Sequence, residues 1–127
     1  MRIFKTKWFV RYARKEGIRD NKLIKAVREI EKGLDDGQLG GGLIKKRVAR
    51  YGEGKSGSYR TIIVYRTQIR SVFVYAFPKN AKANLSAEEL DGYKKLAREY
   101  LRYSNEDIAE ALLSGELKEV DYNEKEI

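Results

Sequence analysis

The sequence contains neither cysteine nor histidine. The absence of cysteine excludes a disulfide framework and any thiol chemistry. The absence of histidine removes the commonest general acid–base residue and the commonest metal ligand, so we expect neither a zinc site nor any other metal or cofactor. Any catalysis must use Lys, Arg, Tyr, Asp, Glu or Ser side chains, or groups of the substrate itself.

Long apolar runs are also missing. No stretch is long enough to cross a bilayer, and the first ten residues, MRIFKTKWFV, are too mixed in charge for a signal peptide. We therefore expect a cytoplasmic protein without a membrane partner. A length of 127 residues, of which 42% are hydrophobic, suits one compact domain with a core of its own.

Acidic residues are scarce in the first two thirds of the chain. Residues 1–82 hold 21 Lys and Arg against 7 Asp and Glu, whereas residues 83–127 hold 6 against 12. Between residues 43 and 82, ten basic residues face a single acid, Glu53. This concentration of positive charge favours a surface that binds a polyanion, with nucleic acid as the first candidate. The alternative is a basic surface that serves only solubility.

The spacing of apolar residues predicts an α+β domain that begins with a short strand at 2–6. Two amphipathic helices follow, the first ended by Gly17 and the second capped by Asp20 or Asn21. The glycine-rich residues 35–42 break the pattern and predict a flexible connection.

An antiparallel meander is predicted next, closed by Pro78, and a capping box that begins at Ser86 then opens the C-terminal helices. We divide the chain into a domain at 1–114 and an acidic, frayed tail at 115–127. The strands of the meander are expected at 43–50, 59–66 and 70–77.

The stretch YGEGKSGSYR, at 51–60, contains the letters GKS that end a phosphate-loop motif. That motif requires an earlier glycine where this chain has Ala49, and a helix where this chain continues as a strand. We therefore exclude nucleotide hydrolysis. We expect instead that Arg50, Lys55 and Tyr59, in and beside this glycine-rich loop, contact RNA.

Strand alternation sorts the basic residues of the meander by face. Lys45 and Arg47 share one face of the first strand, and Lys46 lies on the other. Arg60 begins an otherwise apolar face of the second strand, so its guanidinium is expected at the margin of the sheet. Cations from three neighbouring strands can thus converge on one open part of the sheet. The candidates are Lys45, Lys46, Arg47, Arg60, Lys79 and Lys82.

The order and spacing of four segments resemble the RelE superfamily of bacterial toxins, and its HigB-type branch in particular. The resemblance spans roughly residues 3–113. It implies a compact domain in which N-terminal helices pack on an antiparallel meander with C-terminal helices. It also implies a toxin of a type II toxin–antitoxin system that cleaves mRNA in the ribosomal A site, together with a cognate antitoxin of helix-turn-helix type. The segments are IFKTKWFVRYARKEG, LGGGLIKKRVA, GKSGSYRTIIVYR and FVYAFPKN.

The same resemblance implies catalytic residues. Arg60, in SYR, matches the arginine of a GYR-like segment of the family. A C-terminal catalytic tyrosine found in some members has no secure match, since Tyr93 lies in a predicted helix. The basic strand of the family is matched by the segment that holds Lys45, Lys46 and Arg47, without deciding which of the three take the catalytic positions, and the basic residue after the third strand is matched by Lys79 or Lys82.

Metal-independent RNA cleavage suits a sequence without histidine, because RNA supplies its own nucleophile, the 2′-hydroxyl. Arg60 can stabilise charge on the phosphoryl oxygens. A lysine crowded by other cations has a lowered pKa and can act as base or acid. Two alternatives remain: a non-catalytic nucleic-acid-binding module that uses the same basic sheet, and an interaction protein whose basic surface docks an acidic partner.

Overall fold

The structure is a mixed β-sheet between two pairs of helices. The computed structural model describes residues 1–49 and 57–124. Within these ranges no helix is both long enough and apolar enough to span a bilayer. In chain order, the elements are β1 (Arg2–Thr6), α1 (Lys7–Glu16), α2 (Asp20–Glu31), β2 (Gly37–Gly40), β3 (Leu43–Ala49), β4 (Ser58–Arg66), β5 (Arg70–Pro78), α3 (Ala87–Arg102), α4 (Asn105–Ser114) and β6 (Leu117–Glu119).

The described strands form one sheet in the order β2-β3-β4-β5-β1-β6. β3, β4 and β5 form the antiparallel meander that the sequence predicts, with Ile44 opposite Ile63 and Val64 opposite Val72. β1 adds to the far side of β5 in parallel, and β6 pairs with β1 in the antiparallel direction. The predicted α+β class is confirmed.

Alternate residues of β4 enter two separate cores. Ile63 packs into the cluster that α1 and α2 cover, whereas Ile62 and Val64 pack into the cluster under α3 and α4. A strand that is covered on both faces needs a continuous apolar run, which explains the segment TIIV. Each such side chain contributes about 1.5–3 kcal/mol through burial. A polar site on this sheet therefore has to lie where the helices leave it uncovered.

The ends of α1 and α3 follow the sequence signals. Thr6 caps α1 by accepting a hydrogen bond from the Phe9 N–H at 3.2 Å, and Gly17 ends that helix in the left-handed conformation with φ 73°. Ser86 and Glu89 form the predicted capping box at the start of α3. These local contacts fix where each helix begins and ends.

Asp20 does not cap α2, and Asn21 does not either, so that prediction is wrong: the N-cap is Arg19, without a side-chain hydrogen bond. Asp20 Oδ1 accepts a hydrogen bond from Lys5 Nζ at 2.6 Å, and its Oδ2 accepts one from the backbone N–H of Asp121 at 2.8 Å. Lys5 is only 7% exposed. A buried ammonium without a counter-charge costs more free energy than a helix without a side-chain cap. The Asp20 carboxylate therefore pairs with Lys5 instead of capping α2.

The glycine-rich residues 35–42 do not form a flexible connection, as the sequence suggests, but β2 and a tight turn. Gly40, Gly41 and Gly42 all have positive φ angles, of 86°, 63° and 84°. A Cβ on Gly42 would lie 2.7 Å from Leu101 Cδ1 of α3. Glycine is required here because the turn combines left-handed backbone with close approach to a helix.

The chain beyond Gly115 also differs from the expected frayed tail. β6 pairs with β1, and Val120 is buried. The Tyr122 hydroxyl accepts a hydrogen bond from the Ile3 N–H at 2.9 Å, and Glu119 forms an ion pair with Arg2 at 3.0 Å. The acidic segment proposed as a tail thus supplies a strand and lies against β1 and α2, away from the basic residues of the meander.

Candidate nucleic-acid interface

Two arginines face each other across the meander. Arg47 of β3 and Arg60 of β4 are directly paired in the antiparallel register, so their side chains leave the sheet on the same face, from strands about 4.8 Å apart. Like charges in this arrangement repel each other. Within the described part of the chain, neither guanidinium has an acidic partner. This arginine pair is therefore a place where a bound anion would relieve repulsion.

The Nε of Arg60 is a second unsatisfied feature of this pair within residues 1–49 and 57–124. This nitrogen is buried and has no partner among the described residues. A buried donor without a partner costs about 1–3 kcal/mol, which an incoming acceptor can recover. Phosphate oxygens match the planar donors of arginine well. The arrangement of the arginine pair thus suits an oxyanion.

Aromatic rings and Lys82 continue this face towards β5. Phe77 is paired with Arg60 in the register, and Tyr75 lies two residues earlier on the same strand. Lys82 Nζ lies 5.2 Å from the centroid of the Tyr75 ring and 5.1 Å from that of Phe77. Cations are attracted to ring faces at this distance. Lys82, which lies in the segment after β5, is therefore held beside the arginine pair.

Lys82 is neutralised by Glu89 of α3. Its Nζ donates to both carboxylate oxygens of Glu89, at 2.7 and 2.6 Å. This hydrogen bond raises the pKa of Lys82, and the same bond together with the Ser86 N–H lowers the pKa of Glu89 to about 2. The expectation of a lysine with a lowered pKa is therefore wrong for Lys82. Its ammonium is paired with a carboxylate that a phosphate would have to displace.

Lys45 and Lys79 approach the same region from two sides. Lys45 lies two residues before Arg47 on the same face, and its Nζ donates to Asn84 Oδ1 at 3.2 Å. Lys79 is exposed, and its backbone N–H donates to the Ser58 carbonyl at 3.1 Å, close to the start of β4. Both lysines therefore lie at the end of the meander that carries the arginine pair.

Two predicted site residues lie on the opposite face of the sheet. Lys46 is buried against α2, with its Nζ 3.1 Å from Glu29 Oε1 and 2.6 Å from the Leu34 carbonyl oxygen. Tyr59 is fully buried, and its hydroxyl donates to Glu16 Oε1 at 2.7 Å. The expected roles of Lys46 in catalysis and of Tyr59 in RNA contact do not fit these positions. Both side chains hold the sheet to its helices instead.

Arg50 and Lys55 lie outside the described residues, as does the GKS stretch. Tyr93 of α3 stacks on Tyr75 at 5.0 Å, and burial raises its pKa to about 12. Its phenol thus stays protonated at neutral pH. Sequence reasoning did not include Tyr75 or Phe77 in the site, although the alternation in FVYAF places both rings on one face of β5.

The Lys82–Glu89 contact yields a first prediction. Substituting Glu89→Gln keeps the capping box, because glutamine serves at this position, and removes the charge that neutralises Lys82. We expect single-stranded RNA to bind up to about 5-fold more tightly, since an exposed ion pair contributes at most about 1 kcal/mol. Fluorescence anisotropy with a labelled oligonucleotide, measured over a range of salt, should give a slope steeper by about 0.7.

A pH series tests whether the effect on stability comes from the ionised carboxylate of Glu89. The folded-state pKa of Glu89 lies below its ordinary value of 4.5, so its contact stabilises the fold above that pH and is lost as the pH falls towards 2. The stability difference between parent and variant should be present at pH 6 and vanish at low pH. Glu88→Gln, in the same helical turn, is the control. Equal gains in RNA affinity for both variants would contradict the assignment.

The fold and this face together define a small α+β domain with paired arginines on one face of its sheet. The RelE family model, described as the RelE toxin of the RelE / RelB toxin-antitoxin system, matches residues 1–120. The chain therefore belongs to this family, whose members are toxins of toxin–antitoxin systems and generally endoribonucleases, and which implies an antitoxin partner. A comparison with curated proteins gives no match.

Proposed function

We propose that this protein is a toxin of the HigB-type branch that cleaves mRNA in the ribosomal A site and so inhibits translation in the cytoplasm. A helix-turn-helix antitoxin is its proposed partner. The observation that carries the proposal is the arginine pair: two like charges directly opposite each other, one with a buried donor that has no acceptor in the described structure. An RNA phosphate satisfies both features at once.

The proposed reaction needs no metal. The 2′-hydroxyl oxygen of the RNA attacks the adjacent phosphorus, the bond from phosphorus to the 5′-oxygen breaks, and a 2′,3′-cyclic phosphate and a 5′-hydroxyl result. Arg47 and Arg60 stabilise the negative charge that grows on the phosphoryl oxygens. Lys45, oriented by Asn84 on the same face, is the proposed proton donor to the departing 5′-oxygen, and a solvent water molecule takes the proton released by the 2′-hydroxyl. The ribosome contributes by holding the RNA in line for attack.

Other residues of the face have supporting roles. The ammonium of Lys82 is available to a phosphate that displaces Glu89, and Lys79 lies exposed at the same end of the sheet. Burial raises the pKa of Tyr93 to about 12, so we do not assign its phenol the role of base. We therefore assign Lys79 and Lys82 to binding of the RNA backbone rather than to proton transfer.

The test is induction of the protein in bacteria, followed by mapping of mRNA 5′ ends. We expect growth arrest and new ends at codon spacing for the parent protein, and neither for Arg60→Ala. Arg66→Ala is the matched control, since Arg66 is an exposed arginine at the opposite end of β4 and its loss should leave both effects intact. RNA binding without Arg60-dependent ends would instead support a non-catalytic binding module. No RNA effect at all would support a protein-docking role.

A further inference from the structure

Trp8, the single tryptophan of the chain, has a large aromatic side chain that is partly exposed although it contacts two other rings. It is 44% exposed at the start of α1. Its ring stacks on Tyr12, with centroids 5.0 Å apart and planes 14° apart, and it also contacts Tyr75 at 5.0 Å. A side chain held in this way loses little conformational freedom when a ligand packs on it.

A continuous row of rings joins Trp8 to the arginine pair. Tyr75 contacts Trp8 at one end and Phe77 at the other, with 5.8 Å between the centroids of Tyr75 and Phe77. Phe77 is the register partner of Arg60. Tyr93 and Lys82 already cover the inner rings. Trp8 is therefore the accessible end of a row whose other end, Phe77, lies opposite Arg60 in the neighbouring strand.

Positive charge surrounds this ring. The first turn of α1 contains no acidic residue. Lys7, immediately before Trp8, and Arg11, one turn further along the helix, are both exposed. Proteins that bind single-stranded nucleic acid combine aromatic platforms with a basic track for the backbone. The core residue of this turn is Phe9, which is fully buried, whereas Trp8 packs on two rings and keeps part of its own ring accessible.

We propose that Trp8 stacks on a base of single-stranded RNA while a phosphate of the same strand binds to Arg47 and Arg60. Trp8 is then a positioning residue, because it fixes one nucleotide and so holds the strand with a phosphate at the arginines. The contact tolerates any base, since every base has a π-face. The inference rests on the proposed function for its ligand, single-stranded RNA, but it concerns binding rather than cleavage.

The experiment uses tryptophan emission, all of which comes from Trp8. The probes are an eight-nucleotide RNA with 2′-O-methyl groups, which cannot be cleaved by 2′-attack, and an abasic oligonucleotide of the same charge. We expect the RNA to quench the emission at saturation and the abasic oligonucleotide to leave it nearly unchanged. In anisotropy measurements, Trp8→Ala should bind the RNA about 5- to 150-fold more weakly, with unchanged affinity for the abasic oligonucleotide.

Two further variants control for folding. Trp8→Phe should retain most of the RNA affinity, and Leu113→Ala, which removes a side chain 90% exposed on α4, should retain all of it. Equal quenching by both probes, no binding of the RNA, or unchanged RNA affinity of Trp8→Ala would overturn the inference. If one of these three results is obtained while Arg60-dependent cleavage is observed, only the stacking site is rejected. If stacking is observed without such cleavage, only the proposed function is rejected.

Discussion

Substituting Arg60→Met should remove most of the RNA cleavage and yet make the folded protein more stable. Cleavage should slow by about 10²- to 10³-fold, the usual cost of losing one preorganised group that stabilises charge in the transition state. The free energy of unfolding should rise by up to about 1 kcal/mol, because repulsion from Arg47 and the unpartnered buried Nε both disappear. Methionine keeps the apolar stem, so packing is preserved.

The measurements are mRNA cleavage in a translation extract and urea unfolding at two salt concentrations. The gain in stability should shrink at high salt, where repulsion between exposed charges is screened. Arg66→Met should change neither cleavage nor stability by a comparable amount. If stability and cleavage both fell in Arg60→Met, Arg60 would be a structural residue. The interpretation that the arginine pair destabilises the fold and is needed for cleavage would then be wrong.

The largest loss of stability is expected for Asp20→Ala. The variant leaves the Lys5 ammonium, which is 7% exposed, without its counter-charge at 2.6 Å, and the Asp121 N–H without its acceptor. Breaking a buried ion pair by removal of one partner costs about 3–5 kcal/mol. Urea unfolding followed by circular dichroism should detect a shift of this size directly.

A second variant distinguishes the cost of the unpaired Lys5 ammonium from the cost of the lost hydrogen bond to Asp121. Combining Asp20→Ala with Lys5→Met removes the stranded ammonium and keeps an apolar stem in β1, so most of the lost stability should return. If the double variant were as unstable as Asp20→Ala, the loss would come from the hydrogen bond to Asp121 rather than from the unpaired lysine. RNA binding should be the same in both variants, since neither residue lies on the face with the arginine pair.

The core elements of the fold could be predicted because their signals are local. The run TIIV identifies a strand buried on both faces, and SAEE marks the first turn of α3. β2 and β6 could not be predicted in this way. β2 is four residues long and half glycine, and β6 has three residues within an acidic stretch. β6 exists because the distant β1 offers a pairing edge, which is a property of the assembled sheet, and β2 exists because the glycine turn folds it back onto the neighbouring β3.

For the site, too, the sequence predicted what depends on one strand and not what depends on how distant elements pack. Alternation separated Lys45 and Arg47 from Lys46 correctly, because it depends only on the geometry of one strand. It did not indicate that α2 covers the face of Lys46, nor that Glu89 would reach Lys82 from another element. Glu89 was visible as a capping residue, but its second partner depends on where α3 packs.

The position of β1 between β5 and β6 has a consequence for how the protein is made. Arg2 binds Glu119, 117 positions further along the chain, so β1 lacks one neighbour until nearly all of the described chain has been synthesised. β1 joins the sheet through β5, which ends at Pro78, so this edge of the nascent sheet stays unpaired while the 41 residues up to Glu119 are made, roughly 2 to 8 s at about 5–20 residues per second. During this interval, the nascent sheet presents an unpaired edge, which is where another strand pairs most readily. A partner present during translation therefore meets a different surface from one that arrives after the chain is released.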